Sequence, residues 1–163
     1  MASFLDRLAA VVFASAALAL FAAMPIWHRV AESPEAESRQ TISARDFSTL
    51  VEAMTKAHAT GEAEGGVPIV HPPAGDVYVI ARRFEFTPIL QLDVGRTYRL
   101  HIASTDVVHG FNFPLGKAET LLVPGWATTV TVTPTHPGLY AMQCSEYCGL
   151  SHSRMKARVR VMP

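Results

Sequence analysis

The chain opens on a long apolar run. From Leu8 to Trp27 no residue is charged. At about 1.5 Å per residue a helix of that length reaches roughly 30 Å, the depth of a bilayer's hydrocarbon core. The run predicts one transmembrane helix within residues 1–27, with Trp27 at the outer interface. Arg7 precedes the run, Arg29 lies just past it, and Glu32, Glu35 and Glu37 follow. That bias predicts a cytoplasmic N-terminus and a globular part outside. A cleaved signal peptide is the other reading, since Ala22 and Ala23 are small enough for a cleavage site. Both readings export the C-terminal part.

Residues 28 to about 41 are rich in Glu, Ser and Pro and read as a solvated linker. Ser43 then looks like a helix N-cap with Asp46 as its partner. Phe47, Leu50, Val51, Met54 and Ala57 recur at three and four residues, so an amphipathic helix is expected over about 43–60. Its apolar stripe is expected to pack on its own domain, and Gly61 with Gly65-Gly66 to end it. The period changes from Asp76 onward. Val77, Val79 and Ala81 alternate with Tyr78, Ile80 and Arg82; Tyr98, Leu100 and Ile102 alternate with Arg99, His101 and Ala103. Further strands are expected at Trp126 to Thr133, at Leu139 to Gln143 and around Val159 and Val161. Turns carry Pro88, Gly95, Pro124-Gly125, Pro134 and Pro137-Gly138. Short strands so punctuated predict an antiparallel sandwich or barrel over 76–163, with 28–75 as linker and helix.

Composition adds little beyond this. Apolar residues make up 49% and charged residues 17%, and the formal net charge is zero, so nothing points to nucleic acid. From Asp76 on, basic residues outnumber acidic ones. The domain presents no acidic face to a strongly basic partner, and apolar docking with weak salt dependence is expected.

The candidate chemistry lies between Cys144 and Met155. Cys144, Cys148, His152 and Met155 offer thiolate, imidazole and thioether groups, and His109 waits in a separate apolar segment. Such soft donors suit copper rather than magnesium or calcium. A bare disulfide would close a very short loop and stabilise little. A tetrahedral zinc site from His109, Cys144, Cys148 and His152 leaves Met155 unused. A mononuclear blue-copper site needs two His, one Cys and an axial Met, which leaves a cysteine over. Two thiolates are better used as bridges between two copper ions, each with one histidine. Met155 is then a weak extra ligand on one ion, and the Glu146 carbonyl is placed to serve the other. Phe111, Phe113, Leu150 and the Trp126 strand are candidates for an apolar shell.

Cys144-x-Glu146-x-Cys148-Gly149-x-x-His152-x-x-Met155, with Asp106-Val107-Val108-His109 upstream, resembles subunit II of haem-copper cytochrome c oxidases. The resemblance runs from about Asp76 to Val161, and the single span is similar to that of the short, one-helix members. It implies an all-β, cupredoxin-like Greek-key barrel holding the binuclear copper centre called CuA. His109, Cys144, Cys148, His152 and Met155 are the implied side-chain ligands, and Glu146 ligates through its carbonyl. The Glu146 carboxylate is implied to reach a magnesium or manganese ion at the boundary with subunit I. The implied role is electron entry. Electrons from cytochrome c or a small copper protein pass to haem in subunit I, where oxygen is reduced to water and protons are pumped. Members often carry a Trp/Tyr-rich entry segment; here the corresponding stretch is Arg82-Arg83-Phe84-Glu85-Phe86, which makes Phe84 and Phe86 the candidate entry residues. A nitric oxide reductase could use the same centre. The Cys-x-Glu-x-Cys-Gly pattern favours an oxidase over nitrous oxide reductase. A membrane-anchored copper carrier would need no second fixed histidine.

Overall fold

The computed structural model describes residues 3–30, 38–116 and 118–163, and the chain divides into two compact units, 1–33 and 34–163. The acidic linker residues Glu32, Glu35 and Glu37, together with Lys117, lie outside the described residues, as do the side chains of His28 and Arg29.

The first unit is helix α1, Phe4–Val30. Ser3 caps it: its hydroxyl accepts from Asp6 N at 3.2 Å, and the Asp6 carboxylate accepts from Ser3 N at 2.7 Å. The two reciprocal bonds satisfy donors that a helix start leaves open. The stretch Phe4–Trp27 is long and apolar enough to cross a membrane.

In the second unit, strand β1 (Ser38–Thr41) precedes helix α2 (Ala44–His58). Ser43 caps α2: its hydroxyl accepts from Asp46 N at 3.1 Å and donates to the Asp46 carboxylate at 2.7 Å. Phe47, Val51 and Met54 are buried, so the three-and-four spacing does turn one face inward. Phe47 and Val51 pack with Ile80, Ala103 and Ala127 on the outer face of a sheet.

The helix does not end at a glycine. It stops at His58 and runs straight into β2 (Ala59–Glu64), and Gly65-Gly66 forms the two-residue turn to β3 (Val67–Val70). Both turn glycines have positive φ, 60° and 86°, which a tight hairpin requires. The remaining strands are β4 (Gly75–Arg82), β5 (Glu85–Thr87), β6 (Ile89–Asp93), β7 (Tyr98–Ser104), β8 (His109–Phe113), β9 (Ala118–Leu122), β10 (Trp126–Val132), β11 (Gly138–Gln143) and β12 (Lys156–Met162).

Two sheets form, in the orders β1-β10-β7-β4-β5 and β2-β3-β6-β12-β11-β8-β9. They are not wholly antiparallel: β4 with β7, β3 with β6 and β6 with β12 run parallel. The chain repeatedly leaves one sheet for the other, and a strand that returns after a crossover can lie parallel to its neighbour. β1 to β3 therefore add to both sheets from a stretch expected as linker and helix. Between the layers, Val77, Val79, Leu90, Leu92, Leu100, Ile102, Phe111, Phe113, Val159 and others close one core. The result is a predominantly β, cupredoxin-like fold preceded by an apolar helix and carrying one amphipathic helix.

Candidate metal centre

β8 and β11 are neighbours in the second sheet, with Gln143 opposite Asn112. That pairing brings His109, the first residue of β8, to the end of the barrel from which the loop after β11 departs. The loop is closed at its base: Cys144 N donates to Met155 O at 3.1 Å, the last backbone bond before β11 and β12 separate. Inside the loop, His152 N donates to Gly149 O and Met155 N to His152 O, each at 3.0 Å. A short 3-10 turn, His152–Arg154, results.

The donor atoms converge. The Cys144 and Cys148 sulfurs lie 3.7 Å apart, and both cysteines are free and buried. His109 Nδ1 is 3.9 Å from Cys144 Sγ, and the Glu146 carbonyl oxygen is 3.2 Å from the same sulfur. His152 Nδ1 and Met155 Sδ each lie 3.7 Å from Cys148 Sγ. Ligand atoms of His109, Cys144 and Cys148 all fall within 4.8 Å of one another. All six residues expected as ligands thus meet around one pair of sulfurs. Sulfurs at this separation can both bond the same ion at about 2.3 Å. Three sulfurs with two imidazoles form a soft donor set, so the residues present fit copper.

The histidines are oriented from outside. His109 is fully buried, and its Nε2 meets Asp106 Oδ1 at 2.8 Å, which turns Nδ1 toward the sulfurs. Asp106 is itself held by Arg83 N at 2.9 Å and Val107 N at 2.7 Å. Burial raises the Asp106 carboxyl, but the Arg83 amide, His109 and the Val107 amide outweigh it and bring the group down to about 2. An ionised Asp106 fixes the imidazole in the orientation a metal ligand needs. Sequence reasoning used Asp106 only as part of a pattern; the Asp-x-x-His spacing was the available signal of this role. Burial, then the hydrogen bond and charge of Cys144 beside it, push the Cys148 thiol up to about 11.

Gly110 explains how the loop seats. A Cβ there would run into Ser145 Oγ and come within 2.5 Å of Glu146 N. Only a residue without a side chain lets β8 lie this close to the Ser145–Glu146 peptide, next in the chain to the Glu146 carbonyl. The Glu146 carboxylate is turned elsewhere, accepting from Tyr147 N at 3.2 Å.

Several expected neighbours of the site behave differently. Phe111 and Phe113 are buried core residues below it. Leu150 is 98% exposed, so it forms no shell, and Trp126 is 44% exposed at the start of β10. Phe86 is 1% exposed and packs edge-on against Phe111. A ring buried in the core cannot touch a partner protein, which removes Phe86 as an entry residue. Phe84 is partly buried and lies against the loop: a Cβ on Gly149 would be 3.0 Å from its Cε1 and Cζ.

Residues 79–162 match the family model for the periplasmic domain of cytochrome c oxidase subunit II. The chain belongs to this subunit II family. A cytochrome c oxidase subunit 2 from Thermus thermophilus is 36% identical over 80 residues, which cover 48% of this chain and 59% of that relative. The match therefore spans little more than half of the relative's length. Among solved structures, a chain of a heme-copper terminal oxidase dimer aligns over 96% of this chain and 99% of its own, with a TM-score of 0.52 and 17% identity. Rusticyanin from Thiobacillus ferrooxidans aligns over 77% of this chain and 97% of its own, with a TM-score of 0.52 and 18% identity. At these identities the structural likeness speaks for the fold, which this subunit II family member shares with a copper protein.

Proposed function

We propose that this chain is the electron-entry subunit of a terminal haem-copper oxidase, relaying electrons from cytochrome c or a small copper protein to haem in subunit I, where oxygen is reduced to water. The observation that carries the reading is the convergence of His109, His152, Met155 and the Glu146 carbonyl on two sulfurs 3.7 Å apart. The cradle would hold two copper ions, which would supply one-electron redox chemistry. The rest is done by the chain. Cys144 and Cys148 would supply the thiolates that hold the ions, and Asp106 aims His109. Phe111, Phe113 and Met142, all buried, keep water from the inner side. Fixed donors in a dry site change little between redox states, and the surrounding hydrogen bonds tune the potential.

Phe84 is the remaining candidate for electron entry, since its ring touches the loop between Cys148 and Leu150. The exposed Leu150 and Tyr147 beside it support apolar docking with weak salt dependence. The exposed Glu146 carboxylate can contribute to a magnesium or manganese site shared with subunit I. The apolar helix would cross the membrane once, with the N-terminus in the cytoplasm and the copper domain on the periplasmic or outer side.

The purified chain should bind two copper ions and give a purple, mixed-valence spectrum with hyperfine structure from both nuclei. Cys148→Ser should abolish that signal, because a hydroxyl cannot bridge soft copper. One blue copper per chain, or zinc alone with both thiols reactive, refutes the centre. A nitric oxide reductase partner or a copper carrier would differ in what co-purifies: a polytopic chain with oxidase haem ligands supports the oxidase.

A further inference from the structure

The turn between β4 and β5 places a cation at the outer end of a line of contacts that runs inward to the sulfurs. Arg83 Nε stands 3.3 Å from Asp106 Oδ2, Asp106 Oδ1 meets His109 Nε2 at 2.8 Å, and His109 Nδ1 lies 3.9 Å from Cys144 Sγ. Along this line side-chain exposure falls from 49% at Arg83 through 26% at Asp106 to 0% at His109. We propose that Arg83 is a positioning residue for the metal centre: its guanidinium offsets the charge of the carboxylate that aims His109, weakens that imidazole as a donor and so raises the reduction potential. The proposal rests on the two-copper reading of the site.

The arrangement singles out Arg83 from its neighbour. Arg82 donates to Glu85 Oε1 at 2.6 Å across the turn, and its charge is met there. Arg83 is engaged by the site instead. Its Cδ lies 3.6 Å from where a Cβ on Gly149 would stand, so its stem rests on the loop between Cys148 and Leu150. With the loop beside the stem and Asp106 at Nε, the guanidinium is held in one place. It also keeps its charge at every pH the fold survives.

The two oxygens of Asp106 are divided between two duties. Oδ2 accepts from Arg83 N at 2.9 Å and from Arg83 Nε at 3.3 Å. Oδ1 accepts from Val107 N at 2.7 Å and meets His109 Nε2 at 2.8 Å. A carboxylate shares its charge over both oxygens, so a cation on Oδ2 draws density away from Oδ1. The hydrogen bond from His109 is then weaker and the ring less basic, which is how an outer partner tunes a metal ligand. The field of the guanidinium acts in the same direction, because reduction lowers the positive charge of the site.

Charge and position can be separated here. The Arg83 amide holds Asp106 Oδ2 whatever side chain residue 83 carries. The ion pair is half exposed, and loss of such a pair costs little stability.

The test uses the copper-loaded full chain in detergent. Arg83→Gln should keep both ions and the mixed-valence spectrum, yet shift the reduction equilibrium at least threefold toward the oxidised form. For a one-electron couple at about 59 mV per tenfold change, that lowers the potential by about 28 mV. Arg83→Lys keeps the charge and should restore most of the shift. On an Asp106→Asn background, Arg83→Gln should move the potential less than half as far, since the group it acts through has lost its charge. In the metal-free chain, NMR of 15N-labelled histidine should show the His109 Nε2 proton downfield in Arg83→Gln and at its wild-type position in Arg83→Lys. A wild-type potential in Arg83→Gln overturns the proposal. So does a shift as large in Arg83→Lys, a shift undiminished on the Asp106→Asn background, or an unmoved ring proton. If the wild-type chain gives no two-copper spectrum, the reading of the site fails by itself, and the ring proton still decides whether Arg83 acts on His109.

Discussion

Gly110→Ala adds one methyl group and removes nothing. The added carbon would sit 2.5 Å from Glu146 N and 2.8 Å from the Ser145 carbonyl carbon, against an ordinary contact of 3.4 Å. The shortfall to Glu146 N is about 0.9 Å (3.4 less 2.5), and it falls on backbone, which cannot rotate away. Either β8 or the loop must retreat. Overpacking of this kind costs about 1–3 kcal/mol. The consequence for the metal site is sharper than for stability. Metal–ligand distances hold within roughly 0.2 Å, and the peptide that moves leads directly into Glu146, whose carbonyl is now 3.2 Å from Cys144 Sγ. Denaturant unfolding of the metal-free chain in detergent should show the lost stability, and titration with copper should show weaker uptake of the second ion. Adding Ser145→Gly should rescue neither, because it removes only the side chain and leaves the conflict with the backbone at Glu146 N and residue 145's carbonyl carbon. A Gly110→Ala chain within 0.5 kcal/mol of the wild type, with its full two-copper spectrum, would show that the loop yields freely and that the close seat does not position the ligand.

Phe47→Ala should destabilise the second unit by about 3–5 kcal/mol, because Phe47 is the buried ring that fixes α2 to the outer face of the first sheet; calorimetry or denaturant titration checks this, and a loss under 1 kcal/mol would mean the helix is held by other contacts. In the metal-free chain, iodoacetamide should label Cys148 slowly at pH 8 and about tenfold faster per pH unit up to about 11; rapid labelling at pH 8 would contradict its burial. The Asp76 carboxyl is held well below the usual carboxylate range by hydrogen bonds from Arg99 and His101. Its contribution to stability is therefore present above about pH 4 and fades as pH falls further. The Tm difference between wild type and Asp76→Asn should be small at neutral pH, the group being exposed, and should vanish in acid; a difference that grows below pH 4 would reverse the sign of the argument.

What could be read from the sequence depended on how densely each signal is written. The loop from Cys144 to Met155 concentrates soft donors that have few other uses, and its partner His109 carried the same signal from a distance. Tyr98, Leu100 and Ile102 announced a half-buried strand because their alternation is strict, and all three are buried. β1 and β2 were illegible for the opposite reason. Ser38 to Thr41 is polar and fully exposed, and Ala59 to Glu64 is exposed nearly throughout, so neither has an apolar face to give a period. Their place is decided by backbone pairing with β10 and β3. Gly65-Gly66 carried two meanings, a helix stop and a hairpin turn; the second one holds, and only the pairing of Glu64 with Val67 distinguishes them. Phe84 and Phe86 look alike on paper. One lies in the turn before β5 and reaches the metal loop, while the other points into the core, because a two-residue spacing has no common face once a turn interrupts it.

The closure of the loop ties these readings to the chemistry. Cys144 and Met155 are both expected ligands, and a backbone hydrogen bond of 3.1 Å joins them at the mouth of the loop. They therefore cannot separate unless the end of the β11–β12 ladder opens, and that ladder continues through six paired residues into the barrel. His109 is anchored independently, by its place opposite Leu122 and by Asp106. Cys148, His152 and the Glu146 carbonyl are the donors held within the loop itself, and the 3-10 turn His152–Arg154 fixes the histidine. Rigidity thus comes from the sheet for His109, Cys144 and Met155, from one short turn for His152, and from the close seat beside Gly110 for Glu146. It follows that changes at the base of the loop should disturb metal binding as a whole, whereas changes at its tip, such as at the exposed Leu150, should leave the donors in place and act only on what docks there.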